Sequence, residues 1–487
     1  MFIFMIVLFV VGYVLIAIEH PIKVSKSATA LFLGIILWVC AAIGGEQLLV
    51  DTTSLREFMM NHPGTEFKEW LVESKLVTAL GEVSSIVFFL LGAMIIVELV
   101  DTQEGFRIIT DKIKATKKVS LLWIISILTF FLSSVLDNMT TAIIMVALLR
   151  KLIGDKKERW FFASMVILAA NAGGAWSPIG DVTTIMLWVA GKVSTLNIME
   201  MTFMASMASI LVPLIILSFM IKGEIQRPEL AEDAMENQST PHWQRTLFLC
   251  LGVGALLFTP VFKSLTGLPP YLAILGGVSV LWVVSEIVHR KDTGDIKNRY
   301  AVTTVIKRVD VPSILFFLGI LMAVNALTTV GHLGLLATNL DTINLPEPEK
   351  YYLINIIIGL LSSVVDNVPL VAAGMGMYSF PMDHYFWEML AYCAGTGGSI
   401  LIIGSAAGVA VMGMEKIDFI WYLKRISGIA LIGYLAGAGA FIGEKAIRKH
   451  FEDNKKEQSV EVKNSQKNVE NTLSEQTYVG AFNETFL

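Results

Sequence analysis

Phe131-Leu-Ser-Ser-Val-Leu-Asp137-Asn-Met-Thr-Thr-Ala142 is the stretch that decides how this chain folds. Mostly apolar residues precede it over 121–132 and follow it over 142–149. Between them, six oxygen-bearing side chains fall within nine positions: Ser133, Ser134, Asp137, Asn138, Thr140 and Thr141. A charged side chain at bilayer depth costs at least ~2.5–3.5 kcal/mol, so it indicates a functional site. The pattern predicts two helices joined by a polar break.

The same pattern occurs again 229 residues further along the chain. Leu360-Leu-Ser-Ser-Val-Val-Asp366-Asn-Val-Pro-Leu-Val371 repeats the Ser-Ser-x-x-Asp-Asn core. Upstream, Phe89-Leu-Leu-Gly92 aligns with Phe316-Phe-Leu-Gly319 at an offset of 227. Downstream, the glycines at 173, 174 and 180 align with those at 397, 398 and 404 at an offset of 224. Three collinear matches indicate an internal duplication.

The composition predicts a membrane protein. Of the 487 residues, 54% are hydrophobic and only 16% are charged, whereas a soluble domain carries about 25% charged residues. Apolar runs recur at the ~17–25 residues that span a bilayer. Cys40, Cys250 and Cys393 lie in apolar surroundings and indicate neither a disulfide framework nor a metal site.

Apolar segments bounded by polar residues predict an all-α fold. We expect helices at 1–18, 28–45, 81–100, 119–136, 138–152, 159–190 (broken), 199–221, 244–262, 270–289, 311–330, 351–365, 367–380, 384–414 (broken) and 418–443. The segment 1–18 lacks a basic start and a cleavage site, so a spanning helix is predicted there and not a signal peptide.

Lysine and arginine in the loops predict the topology, because basic loops stay on the cytoplasmic side. The basic loops are 19–27, 101–118, 150–159, 222–245, 289–310 and 415–425. The loops poor in these residues are 46–80, 191–198, 263–269, 331–350 and 381–384. For the basic loops to share one side, 119–152 and 351–380 must each enter and leave by the same face, as re-entrant hairpins.

Each half then contains five spanning helices, one of them broken, and one re-entrant helical hairpin. Because five is odd, the second half is inverted relative to the first, and inverted repeats are typical of secondary transporters. We expect the first repeat at 1–222, a cytoplasmic linker at 223–243, the second repeat at 244–445 and a disordered polar tail at 446–487.

A second polar element interrupts each half. Asn171-Ala-Gly-Gly-Ala-Trp-Ser-Pro-Ile-Gly-Asp181-Val-Thr-Thr184 places three glycines and a proline within eight residues. Such a run breaks a membrane helix and exposes carbonyls that line a cavity. Its counterpart in the second half runs from Gly395 to Ser405 and keeps the glycines and hydroxyls. Ser405 replaces the carboxylate of Asp181, so the two half-sites are predicted to be unequal.

These side chains predict a site for a hard cation, because carboxylates, amides and hydroxyls are hard oxygen ligands. A carboxylate buried among apolar residues is costly while ionised, so it also takes up protons. The expected ion ligands are Asp137, Asn138, Thr140, Thr141, Asn171, Asp181, Thr183, Thr184, Ser362, Asp366, Asn367, Ser399 and Ser405. Accessory or pH-sensing roles are considered for three groups at helix ends, which also suit plain interfacial roles: Glu19, His20 and Glu98.

Structural roles compete with this interpretation. Asp137 and Asp366 could each cap the helix that follows, and the serine pairs at 133–134 and 362–363 could bond to backbone carbonyls.

The chain resembles the NhaD-type sodium/proton antiporters of bacteria. The resemblance runs from the first helix to about residue 445 and includes Ser-Ser-x-x-Asp-Asn-x-Thr-Thr-Ala and Asn-Ala-Gly-Gly-Ala-Trp-Ser-Pro-Ile-Gly-Asp. At greater distance the layout is similar to dicarboxylate carriers and arsenite permeases of the ion transporter superfamily. The resemblance implies a homodimer in the cytoplasmic membrane, with a scaffold and a transport region that moves as an elevator, and it implies no cofactor.

The leading hypothesis is exchange of Na⁺ or Li⁺ for H⁺, with both ions competing for Asp137, Asp181 and Asp366. The alternative within transport is a sodium-coupled anion carrier of the dicarboxylate or arsenite type. An anion requires a cationic ligand, and no Lys or Arg is expected near either tip. An intramembrane aspartyl enzyme is the alternative from another class, but no Gly-x-Gly-Asp pattern supports it, so the chain is predicted not to be an enzyme.

Overall fold

The computed structural model describes residues 1–17, 19–110, 113, 115–225 and 240–451, and these residues are almost entirely helical. In these ranges the one β pairing is an isolated bridge between Lys117 and Glu224. Within the described part of the chain, seven helices are long and apolar enough to cross a membrane: Lys26–Gly44, Phe67–Thr102, Thr195–Met220, His242–Thr266, Pro270–Val288, Val311–Val330 and Ser427–Phe451. The first helix, Phe2–Ala17, is shorter and equally apolar. The protein is therefore a helical, multi-pass membrane protein.

Four interrupted helix pairs supply the polar breaks that the sequence predicted. The first hairpin consists of Lys118–Ser133 and Asn138–Leu152, and the second hairpin of Glu349–Ser362 and Asn367–Met377. The first broken helix consists of Lys156–Ala175 and Val182–Val189, and the second broken helix of Tyr385–Gly397 and Ala406–Glu415. The first arm of each hairpin packs against the first part of the broken helix that follows it.

The segment 46–80 differs from the prediction of a polar loop. The helix expected at 81–100 begins at Phe67 and runs to Thr102, with a π-helical stretch over Trp70–Leu76. Trp70 and Leu71 are 1% and 3% exposed, so burial of these two side chains holds the early part of the helix in place despite its charged neighbours. A separate helix, Thr53–Asn61, precedes it.

Several short helices also lie where loops were expected. The sequence predicted loops there because charged residues interrupt the apolar pattern. They are Glu19–Ile22, Glu46–Leu48 (a 3₁₀ turn), Arg107–Thr110, Gly294–Tyr300, Val302–Ile306 and His332–Asp341. The helix expected at 418–443 is divided at Ile426 into Phe419–Arg425 and Ser427–Phe451.

The helices that flank the breaks pack closely. Lys26–Gly44 crosses Val311–Val330 at two glycines, where a Cβ on Gly34 would lie 2.6 Å from the carbonyl oxygen of Gly319. Phe67–Thr102 packs against Pro270–Val288 and Val311–Val330. Close backbone approach of this kind is typical of membrane helix pairs.

Met1–Ala438 forms one compact unit, and the described residues after Ala438 belong to a second. Most of the expected linker, residues 226–239, and most of the expected tail, residues 452–487, lie outside the described residues. The division into halves at 1–222 and 244–445 stays a prediction.

Candidate functional site

Each hairpin breaks where a carboxylate caps its second arm. The side chain of Asp137 accepts hydrogen bonds from Thr140, at 2.7 Å from the backbone nitrogen and 2.5 Å from Oγ1. Asp366 caps Asn367–Met377 through the backbone nitrogen of Val368, at 3.2 Å. An N-cap carboxylate satisfies an amide that the helix leaves unpaired. Both residues therefore have the capping role, and their ion-binding role stays a prediction.

Asp366 also has a basic partner. The ammonium nitrogen of Lys26 lies 3.5 Å from its Oδ2 and 4.7 Å from the centre of the Phe316 ring. The expectation that no Lys or Arg lies near either tip is therefore wrong. Lys26 begins a membrane-spanning helix in the first half, 340 residues away in the sequence, and only folding brings it to the second hairpin. No local pattern signals this contact.

Two serines fasten the hairpins to the broken helices. Ser133 Oγ donates to the carbonyl oxygen of Ala170 at 2.6 Å, and Ser362 Oγ donates to that of Ala394 at 2.8 Å. The serine that follows each of them donates to a carbonyl three residues earlier in its own helix. All four hydroxyls therefore bond to the backbone, as the structural alternative predicted, and Ser362 is engaged in a packing contact.

Glycines allow the same close approach in both halves. A Cβ on Gly173 would lie 2.2 Å from the carbonyl oxygen of Phe130, and one on Gly397 would lie 2.0 Å from that of Gly359. Real side chains do not fit at these distances, so each broken helix touches its hairpin backbone to backbone. The contact brings the break of the broken helix beside the tip of the hairpin.

Asp181 lies at the centre of the arrangement. It caps Val182–Val189, and its Oδ1 accepts hydrogen bonds from the backbone nitrogen and the hydroxyl of Thr183, both at 2.9 Å. The residue is only 1% exposed. Thr184 bonds to the backbone oxygens of Asp181 and Gly174 and so supports the turn instead of facing the carboxylate.

The amides of both hairpin tips reach this carboxylate. Asn138 Nδ2, from the first hairpin, donates to Asp181 Oδ2 at 2.8 Å. Asn367 Nδ2, from the second hairpin, lies 3.5 Å from Asp181 Oδ1. One buried carboxylate of the first broken helix therefore joins the two tips.

Asn171 extends the polar network to the second broken helix. Its Oδ1 accepts a hydrogen bond from Asn138 at 3.0 Å. Its Nδ2 donates to Ser399 Oγ at 2.8 Å and to Ser405 Oγ at 2.9 Å. Ser405 caps Ala406–Glu415, the position that Asp181 occupies in the first half. The network thus includes both hairpins and both broken helices.

The remaining predicted residues lie around this centre. The hydroxyl of Thr141 is buried and makes no hydrogen bond within the described part of the chain. Glu19 accepts a hydrogen bond from the backbone nitrogen of Lys26 at 3.0 Å, and Glu98 pairs with Arg308 at 3.8 Å. Both contacts fit interfacial roles. The side chain of His20 lies outside the described residues.

The three aspartates do not form one group. Among the described residues, no three His, Cys, Asp or Glu side chains gather as ligands for a single metal ion. Asp181 instead receives uncharged donors, from Asn138, Asn367 and Thr183. A buried carboxylate without a positive partner is costly while ionised, so a small cation or a proton would stabilise it. The chemistry of the arrangement therefore suits either of these.

Comparison with known proteins identifies the family. A family described as citrate transporters matches residues 13–389. "Sodium/proton antiporter 1" of Arabidopsis thaliana is 45% identical over 455 residues, which cover 92% of this chain and 73% of the relative. The Na⁺/H⁺ antiporter NhaD of Alkalimonas amylolytica is 30% identical over 92% of each chain, and that of Vibrio cholerae is 31% identical over 88% of each.

These matches confirm the resemblance that the polar signatures predicted. They extend over most of the sequence, including both hairpins and the first broken helix. The chain therefore belongs to the family of NhaD-type sodium/proton antiporters.

Proposed function

We propose that this protein exchanges Na⁺ for H⁺ across a membrane, and that Asp181 binds either ion in turn. The observation that carries the proposal is the burial of Asp181 between Asn138 and Asn367, one amide from each hairpin tip. A cation or a proton supplies the positive charge that this carboxylate lacks among its described neighbours. The relatives named Na⁺/H⁺ antiporters support the same exchange.

The proposed ion site extends outward from Asp181. The inner ligands are the side chains of Asn138, Asn171, Asn367, Thr183, Ser399 and Ser405. The amides of Asn138 and Asn367 present Nδ2 to Asp181 in this structure and would turn their oxygens toward a bound cation. Li⁺ is a second cargo. An outer layer surrounds the inner ligands and places negative charge at the hairpin tips. It consists of Asp137, Thr140 and Thr141 at the first tip and Asp366 at the second. Thr184 and Ser362 hold the breaks in place. All of these donors are hard oxygens, which suit an alkali cation.

We also propose that the two halves are inverted repeats, 1–222 and 244–445, each with five spanning helices, a re-entrant hairpin and a broken helix. Matching contacts support this: Ser133 and Ser362 bond to equivalent broken helices, and Asp181 and Ser405 cap equivalent helices. The family resemblance supports a homodimer with an elevator motion in the cytoplasmic membrane, and a transporter without enzymatic activity.

The exchange is tested by proton flux in everted vesicles on addition of sodium, lithium or potassium. We expect Asp181→Asn to abolish the sodium response, because the amide keeps the size of the side chain and removes its charge. Ser405→Ala should only weaken it. Asp155→Asn is the matched control, since Asp155 caps the distal end of the first broken helix, in the exposed loop. A wild-type sodium response in Asp181→Asn would refute the role of Asp181.

Two observations favour a second candidate, a sodium-coupled anion carrier. Lys26 lies beside the second tip, and the matching family is described as citrate transporters. The ammonium of Lys26 is already paired with Asp366, so less of its positive charge is available to an anion. If the protein carried anions, vesicles would take up citrate or succinate with sodium, and Lys26→Gln would abolish that uptake. We expect no such uptake.

A further inference from the structure

A wide cavity lies on one side of the site. It has a volume of about 500 Å³ and lies between Phe67–Thr102, Val311–Val330 and the ends of two shorter helices. Its polar lining comes from Glu82, Ser85, Lys192, Asn325 and Thr328. We call this cavity the vestibule. Carboxylate, hydroxyl and amide groups in such a space favour water and a hydrated cation.

Two helices connect the vestibule with the site. Val182–Val189 begins directly after Asp181, and its residues Met186 and Val189 line the vestibule. At 1.5 Å per residue, Met186 lies ~7.5 Å along the helix axis from Asp181. Asn367–Met377 likewise begins at the second tip, and Gly376 near its end lines the vestibule. Each helix thus has its first residue at the site and its later residues at the wall of the vestibule.

A smaller cavity lies within the first half, at positions that are repeat-equivalent to the second-half lining of the vestibule. Its volume is about 220 Å³, and its lining includes Asp101, Ile143 and Ala147. At the offset of 227, Asp101 corresponds to Thr328, and at the offset of 229, Ala147 corresponds to Gly376. The two cavities therefore form a pair, and the one at Glu82 is the larger in this conformation.

We propose that the vestibule is the aqueous path by which hydrated Na⁺ reaches Asp181 from the membrane face that carries residues 46–80. Glu82 raises the local concentration of cations there, and Lys192 lowers it. The ammonium of Lys192, which also lines the vestibule, lies 4.9 Å from the centre of the Trp387 ring. The identity of the ion rests on the proposed function, whereas the path itself does not.

Two charge substitutions test the path, because they should shift the apparent sodium constant in opposite directions. At about 8 Å in a water-like dielectric, one unit charge changes the local concentration of a monovalent ion about twofold. Glu82→Gln should raise the apparent sodium constant about twofold, and Lys192→Gln should lower it about twofold. Both effects should shrink at high ionic strength, because salt screens them. Glu57→Gln is the control, since Glu57 lies on the separate helix Thr53–Asn61.

Thiol labelling tests the path without any transport. With Cys40, Cys250 and Cys393 replaced, Thr328→Cys and Ser85→Cys should react with a membrane-impermeant thiol reagent applied to one face only. Ser126→Cys, buried in the first hairpin, should not react. If the vestibule cysteines are labelled but the protein shows no sodium response, the proposed exchange is refuted and the proposed aqueous path is still supported. Two unreactive vestibule cysteines, together with unchanged sodium constants in both charge variants, would overturn the path even if exchange is intact.

Discussion

At the scale of single residues, three aspartates occupy the same local position and have different surroundings. Asp137, Asp181 and Asp366 each follow a break and cap a helix. Among the described residues, the side chain of Asp137 bonds only to its own helix. Asp366 has Lys26 beside it, and Asp181 joins both hairpin tips. All three aspartates cap a helix in the same way, so capping alone does not distinguish which of them would hold an ion. Their different surroundings do.

Asp137→Asn separates charge from capping, because asparagine caps a helix about as well as aspartate. We expect this variant to insert and keep its thermal stability in detergent, and to lose sodium-dependent proton flux. Asp137→Ala should additionally lose about 1 kcal/mol of stability with the cap. Wild-type exchange in Asp137→Asn would assign Asp137 to capping only.

At the scale of helices, the breaks are held by backbone contact between each hairpin and its broken helix. Gly173 and Gly397 permit this contact, and Ser133 and Ser362 secure it. Asp181 and Asn171 lie on the first broken helix, so their distances to the hairpin tips depend on that contact. Packing at these glycines thus determines the geometry of the proposed ion site.

Gly173→Ala tests this dependence. The added methyl group would lie 2.2 Å from the carbonyl oxygen of Phe130, and overpacking of this kind costs about 1–3 kcal/mol. We expect a lower melting temperature in detergent and a weaker apparent sodium affinity. Gly254→Ala is the matched control, because a Cβ there meets nothing within 4 Å. Equal melting temperatures for the two variants would contradict the contact.

The sequence predicted those parts of the fold that have a local signal. The breaks near Asp137 and Asp181 followed from polar residues and glycines inside apolar runs. The early start of the helix at Phe67 was missed, because charged residues mask the buried Trp70 and Leu71. The Lys26–Asp366 pair was missed because its partners are far apart in sequence. Side-chain packing between distant elements leaves no such signal.

At the scale of the whole molecule, many polar contacts join the two predicted halves, and two of them connect the first hairpin and the broken helices. Asn171 of the first half bonds to Ser399 and Ser405 of the second at the site. At the ends of the same elements, the buried carboxylate of Glu415 accepts hydrogen bonds from Arg150 and Arg159, at 2.6 and 2.7 Å. The first hairpin and both broken helices are thereby joined at two places, at the polar network around Asn171 and at Glu415. Under the proposed elevator motion, elements joined in this way would move as one body.

The proposed shared site predicts how the activity of the whole protein depends on pH. If Na⁺ and H⁺ compete for the same carboxylate, protons occupy it at low pH and exclude sodium. As pH rises the proton leaves, so the apparent sodium constant should fall, by up to ~10-fold per pH unit where one proton is displaced. The measurement is the apparent sodium constant of everted vesicles across the pH range.

His20→Ala separates this competition from an independent sensor. Histidine titrates near neutral pH, so a sensor there would produce a threshold that disappears in the variant. Competition at Asp181 requires no sensor, and we expect the slope of the sodium constant against pH to be the same in wild type and His20→Ala. A flattened response in the variant alone would assign the switch to His20. A wild-type constant that does not change with pH would refute the shared site, because two ions that bind the same carboxylate cannot ignore each other.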